Sequence, residues 1–314
     1  MRKAFSDTLI EVAARDPRLI FLTGDLGFQI FDAFAERFGP RYVNVGVAEA
    51  QLMCAAAGLA SEGWRPVVYS IASFATGRAF EQIRVSVAYP GHPVLIVGAG
   101  GGYTYSNSGV THHAAEDLAL MATLPGMTVV APGDPNEVRA LLPQLLDLPG
   151  PSYVRIGRYG EPTYEALEPA VVGAARRVRD GDRFAVITCG DVAAEAVTAF
   201  DQLANEGIRP LLLQMHTVKP LDEVALEEAS RRFPLLFVVE EAHPSGSLAA
   251  AVGTWLAGAG SRVELRRLGP PDALALGSLE RGELRRRLGY DGAGLATACR
   301  AAWRELAPRR TRRS

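Results

Sequence analysis

The sequence predicts an α/β protein built as two parallel-sheet layered domains. Three observations lead there: short apolar runs without polar alternation, helix-length stretches between them, and a lapse of this rhythm near mid-chain before it resumes. Strands buried on both faces have that uninterrupted apolar look. At 314 residues the chain exceeds one typical core and suits two.

A helical pattern opens the chain from its first residues. Strand-like runs follow at 19–23, 42–45, 66–71, 94–98, 127–131 and 152–156, and helical stretches at 28–38, 48–62, 75–88, 115–123 and 134–146. Such alternation builds a parallel layer sheet with right-handed crossovers. Between 161 and 182 the pattern gives way to Pro, Gly and Arg without a long apolar run, so a linker is placed at 166–182 after a first domain of 1–165. Strands at 184–188, 210–215 and 235–239 then alternate with helices at 192–205, 221–232 and 247–257, giving a smaller second domain over 183–306 and a basic tail at 307–314.

Composition excludes several function classes. With 48% hydrophobic and 22% charged residues the chain is an ordinary globular one, and a net charge of -2 implies no nucleic acid partner. The four arginines between Arg309 and Ser314 read as a solvated terminus. Cys54, Cys189 and Cys299 are too far apart for a disulfide framework or a zinc site, and Cys54 reads as helix core. Without a signal-like segment or an apolar run of about 18 residues, the expectation is a soluble cytoplasmic protein with no membrane contact.

Four segments carry chemistry. The first is Asn44-Val45-Gly46-Val47-Ala48-Glu49-Ala50-Gln51, in which Glu49 opens an Ala- and Leu-rich helix. A carboxylate there is favoured by the helix dipole alone, so the residue type does not by itself assign a function. The second, Val68-Tyr69-Ser70-Ile71-Ala72-Ser73-Phe74-Ala75-Thr76-Gly77-Arg78, runs from a strand into a helix. Ligands of open α/β sheets bind beyond the carboxyl ends of strands, where Phe74 falls. The third, Gly98-Ala99-Gly100-Gly101-Gly102 through Ser108-Gly109-Val110-Thr111-His112-His113, contains a glycine cluster that fits no phosphate-binding fingerprint and reads as a mobile loop. The fourth, Ser152-Tyr153-Val154-Arg155-Ile156-Gly157-Arg158, ends a strand on an arginine.

Together these segments resemble the transketolase family, which includes deoxyxylulose-phosphate synthases and the beta subunits of 2-oxo acid decarboxylating dehydrogenases. The likeness runs from about residue 3 to about residue 300. It implies a pyrimidine-binding domain followed by a transketolase C-terminal domain, with thiamine diphosphate as cofactor. In the family the glutamate matched by Glu49 hydrogen-bonds a pyrimidine nitrogen and drives the exocyclic amine toward the imino form that activates the thiazolium; apolar surroundings suit a carboxyl with that task. Phe74 matches the aromatic that stacks on the aminopyrimidine. Ile71 stands where many relatives carry another aromatic, which widens that side of the pocket. Asp25, in Thr23-Gly24-Asp25-Leu26-Gly27, matches a segment near the active-site entrance and is expected as a pocket wall or a domain-contact residue, not a catalyst.

His112 matches the histidine of Gly-Pro-Thr-His-Gln that faces the reacting carbonyl, and His113 takes the place of the glutamine. Arg158 matches a phosphate-gripping arginine, a role suited to a forked guanidinium. Two positions depart from the family. Gly100 replaces a histidine, and Ser108 replaces an aspartate that reads a donor hydroxyl. Both remove substrate-reading groups.

The family's diphosphate site, Gly-Asp-Gly with a trailing asparagine that holds Mg2+, has no match here. The resemblance therefore implies a split enzyme. A transketolase N-terminal, diphosphate-binding subunit would supply most of the Mg2+ site, in a heterotetramer of two copies of each chain. The activity implied is transfer of a two-carbon ketol unit from a ketose or 2-oxo donor to an aldehyde. Two alternatives stay open: the beta subunit of a 2-oxo acid dehydrogenase, and a non-catalytic scaffold subunit.

Overall fold

The computed structural model describes residues 1–158 and 160–307. The basic tail, apart from Ala307, lies outside the described residues.

Helix α1 (Arg2–Arg15) buries Ala4, Phe5, Leu9 and Ala13, a stripe at helical spacing, and lays it against α6 (Pro135–Leu146). Strand β1 (Leu19–Thr23) follows, buried at every residue. Next come α2 (Asp32–Phe38), β2 (Tyr42–Asn44), α3 (Glu49–Ser61) and β3 (Arg65–Ile71). Helix α2 starts four residues later than the periodicity suggests, because Asp25, Gly27 and Gln29 take positive φ and coil the chain first. Phe28, expected inside that helix, is 73% exposed. Past β3, the expected regular helix is a short α4 (Phe80–Gln82) between wide π-helical turns over Phe74–Arg78 and Ile83–Ala88. Such turns are frequent at functional sites. Strand β4 (Leu95–Ala99), α5 (Asp117–Ala122), β5 (Thr128–Val130), α6 and β6 (Ser152–Ile156) complete the first half.

The second half comprises β7 (Arg176–Arg179), β8 (Ala185–Cys189), α7 (Val192–Asn205), β9 (Leu211–Gln214), β10 (Thr217–Lys219), α8 (Glu223–Arg232), β11 (Leu235–Glu240), α9 (Leu248–Gly258), β12 (Glu264–Leu268), α10 (Arg281–Leu288) and α11 (Gly292–Glu305). Caps mark three helix starts across the chain: Asp134, Asp222 and Asp291 accept from the backbone N–H groups of Glu137, Ala225 and Gly294.

Two sheets result, ordered β10-β5-β6-β4-β3-β1-β2 and β12-β11-β8-β9-β7. Both are dominated by parallel pairs and buried apolar strands, as expected. Each departs from strict parallelism at one edge. β10 runs antiparallel to β5, so a strand from the second half closes the first sheet. β7 runs antiparallel to β9, so the stretch read as a linker carries an edge strand of the second sheet, its Arg-rich sequence suiting a half-exposed rim. One apolar cluster joins the halves: Ile20, Leu52, Val68 and Ile96 belong to the same core as Ile187, Met215 and Val218. The carboxyl ends of β3, β4 and β6 share one edge with the start of α3, and the site lies along it.

Candidate active site

Glu49 opens α3 with its side chain almost wholly enclosed, 2% exposed, against the apolar body of a helix that buries Leu52, Met53, Ala56 and Ala57. It is not surrounded by apolar groups alone. The guanidinium of Arg78 donates to its carboxylate at 3.0 Å and lies 4.2 Å from the centre of the Phe74 ring. Phe74 and Arg78 sit four residues apart in the same π-helical turn, which brings them to one side. A single flat cation thus occupies the ring face and the carboxylate together.

The line of contacts continues. His112 meets Phe74 edge-on at 5.0 Å between ring centres and meets Tyr105 at 5.9 Å. Tyr105 in turn lies 5.0 Å from the guanidinium carbon of Arg158, beyond the end of β6. Glu49, Phe74, His112 and Arg158 are therefore brought into one row by Arg78 and Tyr105, two residues to which the sequence reading gave no role. Arg78 had a signal, its one-turn spacing from Phe74. Tyr105 had none, because a tyrosine in an irregular loop leaves no periodic trace.

Around that row, Gly100 sits at the end of β4 with φ +72°, donating its N–H to the Ile156 carbonyl at 2.8 Å. Ile71 is half-buried, paired with Ala99 across β3 and β4. The other expected members are less central. Asp25 is exposed and engaged with Asn44, which donates from its amide to the Asp25 carboxylate at 3.0 Å. Ser108 is exposed, on a short turn whose N–H bonds the Tyr105 carbonyl. His113 points inward: it is buried, with Nε2 3.2 Å from the Ser106 carbonyl oxygen and its ring edge-on to Tyr103. Cys54, expected in the core, is exposed on α3 because it falls between the buried positions Met53 and Ala57. Among the described residues no three His, Cys, Asp or Glu side chains gather as a metal site.

The glycine segment, read as a mobile loop, is tied into the fold at its base by specific contacts. Gly102 and Ala114 exchange backbone hydrogen bonds, Tyr103 is buried, and its N–H donates to Glu241 Oε1 at 2.8 Å. Arg155 ties the same loop down, clamping Asp117 and donating to the carbonyls of Ala114 and Glu241. Asp117 also accepts from the Tyr153 hydroxyl at 2.6 Å. On the far side, Glu241 and Asp191 meet Arg281 and Arg285 of α10 at 2.5–2.9 Å. Burial pushes the Glu241 carboxyl up, but Arg281 and Arg285 outweigh it and bring the group down to about 2. Asp191 is lowered by the same two arginines against the same burial.

Comparison with known proteins identifies the family. Residues 1–160 match the transketolase pyrimidine-binding domain family, and 173–295 match the transketolase C-terminal domain family. The chain is 36% identical over 274 residues to the 6-deoxy-6-sulfo-D-fructose transketolase subunit SqwH of Clostridium sp. (strain MSTE9), covering 87% of this chain and 85% of that one. It is 35% identical over 274 residues to one of the subunits of the apulose-4-phosphate transketolase of Phocaeicola vulgatus, covering 86% and 87%. A solved split-gene transketolase, described as an inactive β4 tetramer, superposes with a TM-score of 0.86 at 32% identity, over 96% of this chain and 97% of that one.

Proposed function

This chain belongs to the transketolase family, and from that premise we propose that Glu49, Phe74, His112 and Arg158 are its working residues in a split, thiamine diphosphate-dependent enzyme. The transfer class is that of its relatives, a two-carbon ketol unit passed to an aldehyde. Bound thiamine diphosphate would supply the nucleophilic carbon; everything else is orientation and proton handling by the protein.

The observation that carries the reading is the Arg78 guanidinium. A flat, N–H-bearing group already rests against the Phe74 ring while bonding the buried Glu49 carboxylate. An aminopyrimidine ring asks for the same two partners. Phe74 holds its face, Glu49 meets its ring nitrogen, and Ile71 forms a neighbouring wall. His112, edge-on to Phe74, would hydrogen-bond the substrate's reacting oxygen or carry its proton. Arg158 lies further along the row, where a forked cation suits an anionic substrate end. Gly100 and Ser108 lie along the substrate side, and Asp25, His113 and the glycine segment frame it.

The diphosphate end and Mg2+ fall to a partner, a transketolase N-terminal subunit, in a heterotetramer of two copies of each. The solved relative, an inactive tetramer of one kind of chain, is the state such a half-site would take alone. Among the described residues no helix is long and apolar enough to cross a membrane, and scattered thiols suit a reducing cytoplasm.

The test is the mixed pair carrying Glu49→Gln. Losing a proton donor at the ring nitrogen should lower kcat by roughly 10²–10⁴-fold while the heteromer still forms. An unchanged rate means this chain contributes no chemistry and leaves the scaffold reading. Transfer to a lipoyl domain in place of an aldehyde would establish the dehydrogenase reading.

A further inference from the structure

Gly100 and Tyr105 fit each other as hole and plug. A Cβ at position 100 would collide with the edge of the Tyr105 ring, at its Cε2 and Cδ2. The aromatic ring therefore fills volume at the end of β4 that only a glycine vacates, and the positive φ of Gly100 suits that residue as well. Tyr105 is half-buried and has His112 edge-on to its ring on one side and the Arg158 guanidinium over it on another. Arg158 in turn lines a cleft of about 370 Å³ with Thr104, Asn107, Glu161, Glu195 and Arg281, between the glycine segment and the second half of the chain. Tyr105 thus stands between the histidine and the cleft. Its backbone is fixed as well: the Ser108 N–H bonds its carbonyl, and the neighbouring Tyr103 and Ser106 are buried.

We propose that Tyr105 is the specificity-determining residue of this site: its ring sets the spacing between His112 and Arg158, and so selects substrates by the distance from the reacting carbonyl to an anionic end group. The proposal rests on the reading above that His112 and Arg158 face the substrate. The ring does two things. As a wall it narrows the path from His112, excluding chains that would need the volume it occupies. As a π face it holds the guanidinium of Arg158, and a cation so oriented presents its fork in one direction. The selected class is a ketose or aldose whose terminal anion, a phosphate or a sulfonate, reaches Arg158 when its carbonyl is at His112.

The experiment uses the assembled pair with Tyr105→Ala, Tyr105→Leu and Tyr105→Phe. Each is assayed with ketose phosphates of stepped chain length and their uncharged counterparts, and thiamine diphosphate binding is measured separately by fluorescence quenching. Cofactor affinity should stay within about twofold in all three, since the residue touches neither Glu49 nor Phe74. With Tyr105→Ala, kcat/KM for the best anionic donor should fall by roughly tenfold or more, mostly through KM, while uncharged or longer donors hold or gain. Tyr105→Leu keeps part of the volume and should be intermediate on chain length but lose the preference for anions. Tyr105→Phe should resemble the parent if the ring acts alone. The proposal is overturned if Ala and Leu change all donors by one common factor, or if cofactor binding falls with activity. A wild-type pair that binds no thiamine diphosphate would instead sink the broader reading, and that readout is separate.

Discussion

At the scale of single residues, the unexpected participant is Arg78. It bonds Glu49 and covers Phe74, so an aminopyrimidine entering that space must displace it. Its side chain is half exposed but Glu49 is buried, so the about 0.2–1 kcal/mol of a fully exposed ion pair is a lower bound on the cost of displacing it, with a ring contact of this kind adding about 0.5–1 kcal/mol. We therefore expect Arg78→Ala to tighten thiamine diphosphate binding to the assembled pair by roughly three- to tenfold, read by fluorescence titration at constant salt. Weaker binding would show that the arginine is itself a ligand of the cofactor. Glu49, Phe74 and His112 were legible because each sits in a segment whose order of residues is distinctive. Tyr105 and Arg78 acquire meaning only through neighbours that folding supplies.

At the scale of elements, the glycine segment shows why a loop can be rich in glycine without being loose. Gly102 has φ +60°, and a Cβ there would collide with the Glu241 side chain that receives the Tyr103 N–H. Gly109, also at positive φ (+77°), has no atom within 4 Å of the corresponding position. Replacing Gly109 by Ala should cost only the backbone term, about 1–3 kcal/mol, because ψ is -173° there and that combination is essentially confined to glycine. Gly102→Ala should cost about 2–4 kcal/mol, the backbone term plus a displaced buried carboxylate. Melting temperatures of the two variants, with proteolysis mapped across 100–112, distinguish these cases; equal losses would mean that Glu241 does not clamp the segment. The clamp was illegible beforehand because α10 has almost no apolar stripe, and the acidic partners of its clamping Arg281 and Arg285 lie 40–94 residues away in sequence. Strands β1, β3, β4 and β6, by contrast, were readable because near-complete burial writes an unbroken apolar run.

At the scale of the whole molecule, the buried Glu241 and Arg285 and the half-buried Asp191, Glu195 and Arg281 join the glycine segment to the second domain, and this makes the junction sensitive to acid. Glu241 ionises at about 2 in the fold against an ordinary value of 4.5. A folded value below the unfolded one means the contribution is complete above about pH 4.5 and is lost as the pH falls through 2. Glu241→Gln should accordingly lower the melting temperature clearly at pH 7, and the gap to the parent should narrow between pH 5 and pH 2. A gap that stays constant would place the loss elsewhere.

The two halves are also stitched together through backbone. Because β10, from beyond the second sheet's first strands, supplies the neighbour that β5 pairs with, the pyrimidine-binding half does not end where its own βα rhythm ends. A polypeptide cut after residue 165 would carry a bare row of amide and carbonyl groups along β5 and would lack Val218's share of the apolar cluster. Such a fragment should aggregate or recruit foreign strands. Any gene rearrangement or fusion that treats the first 165 residues as a portable module would have to bring Thr217–Lys219 with it.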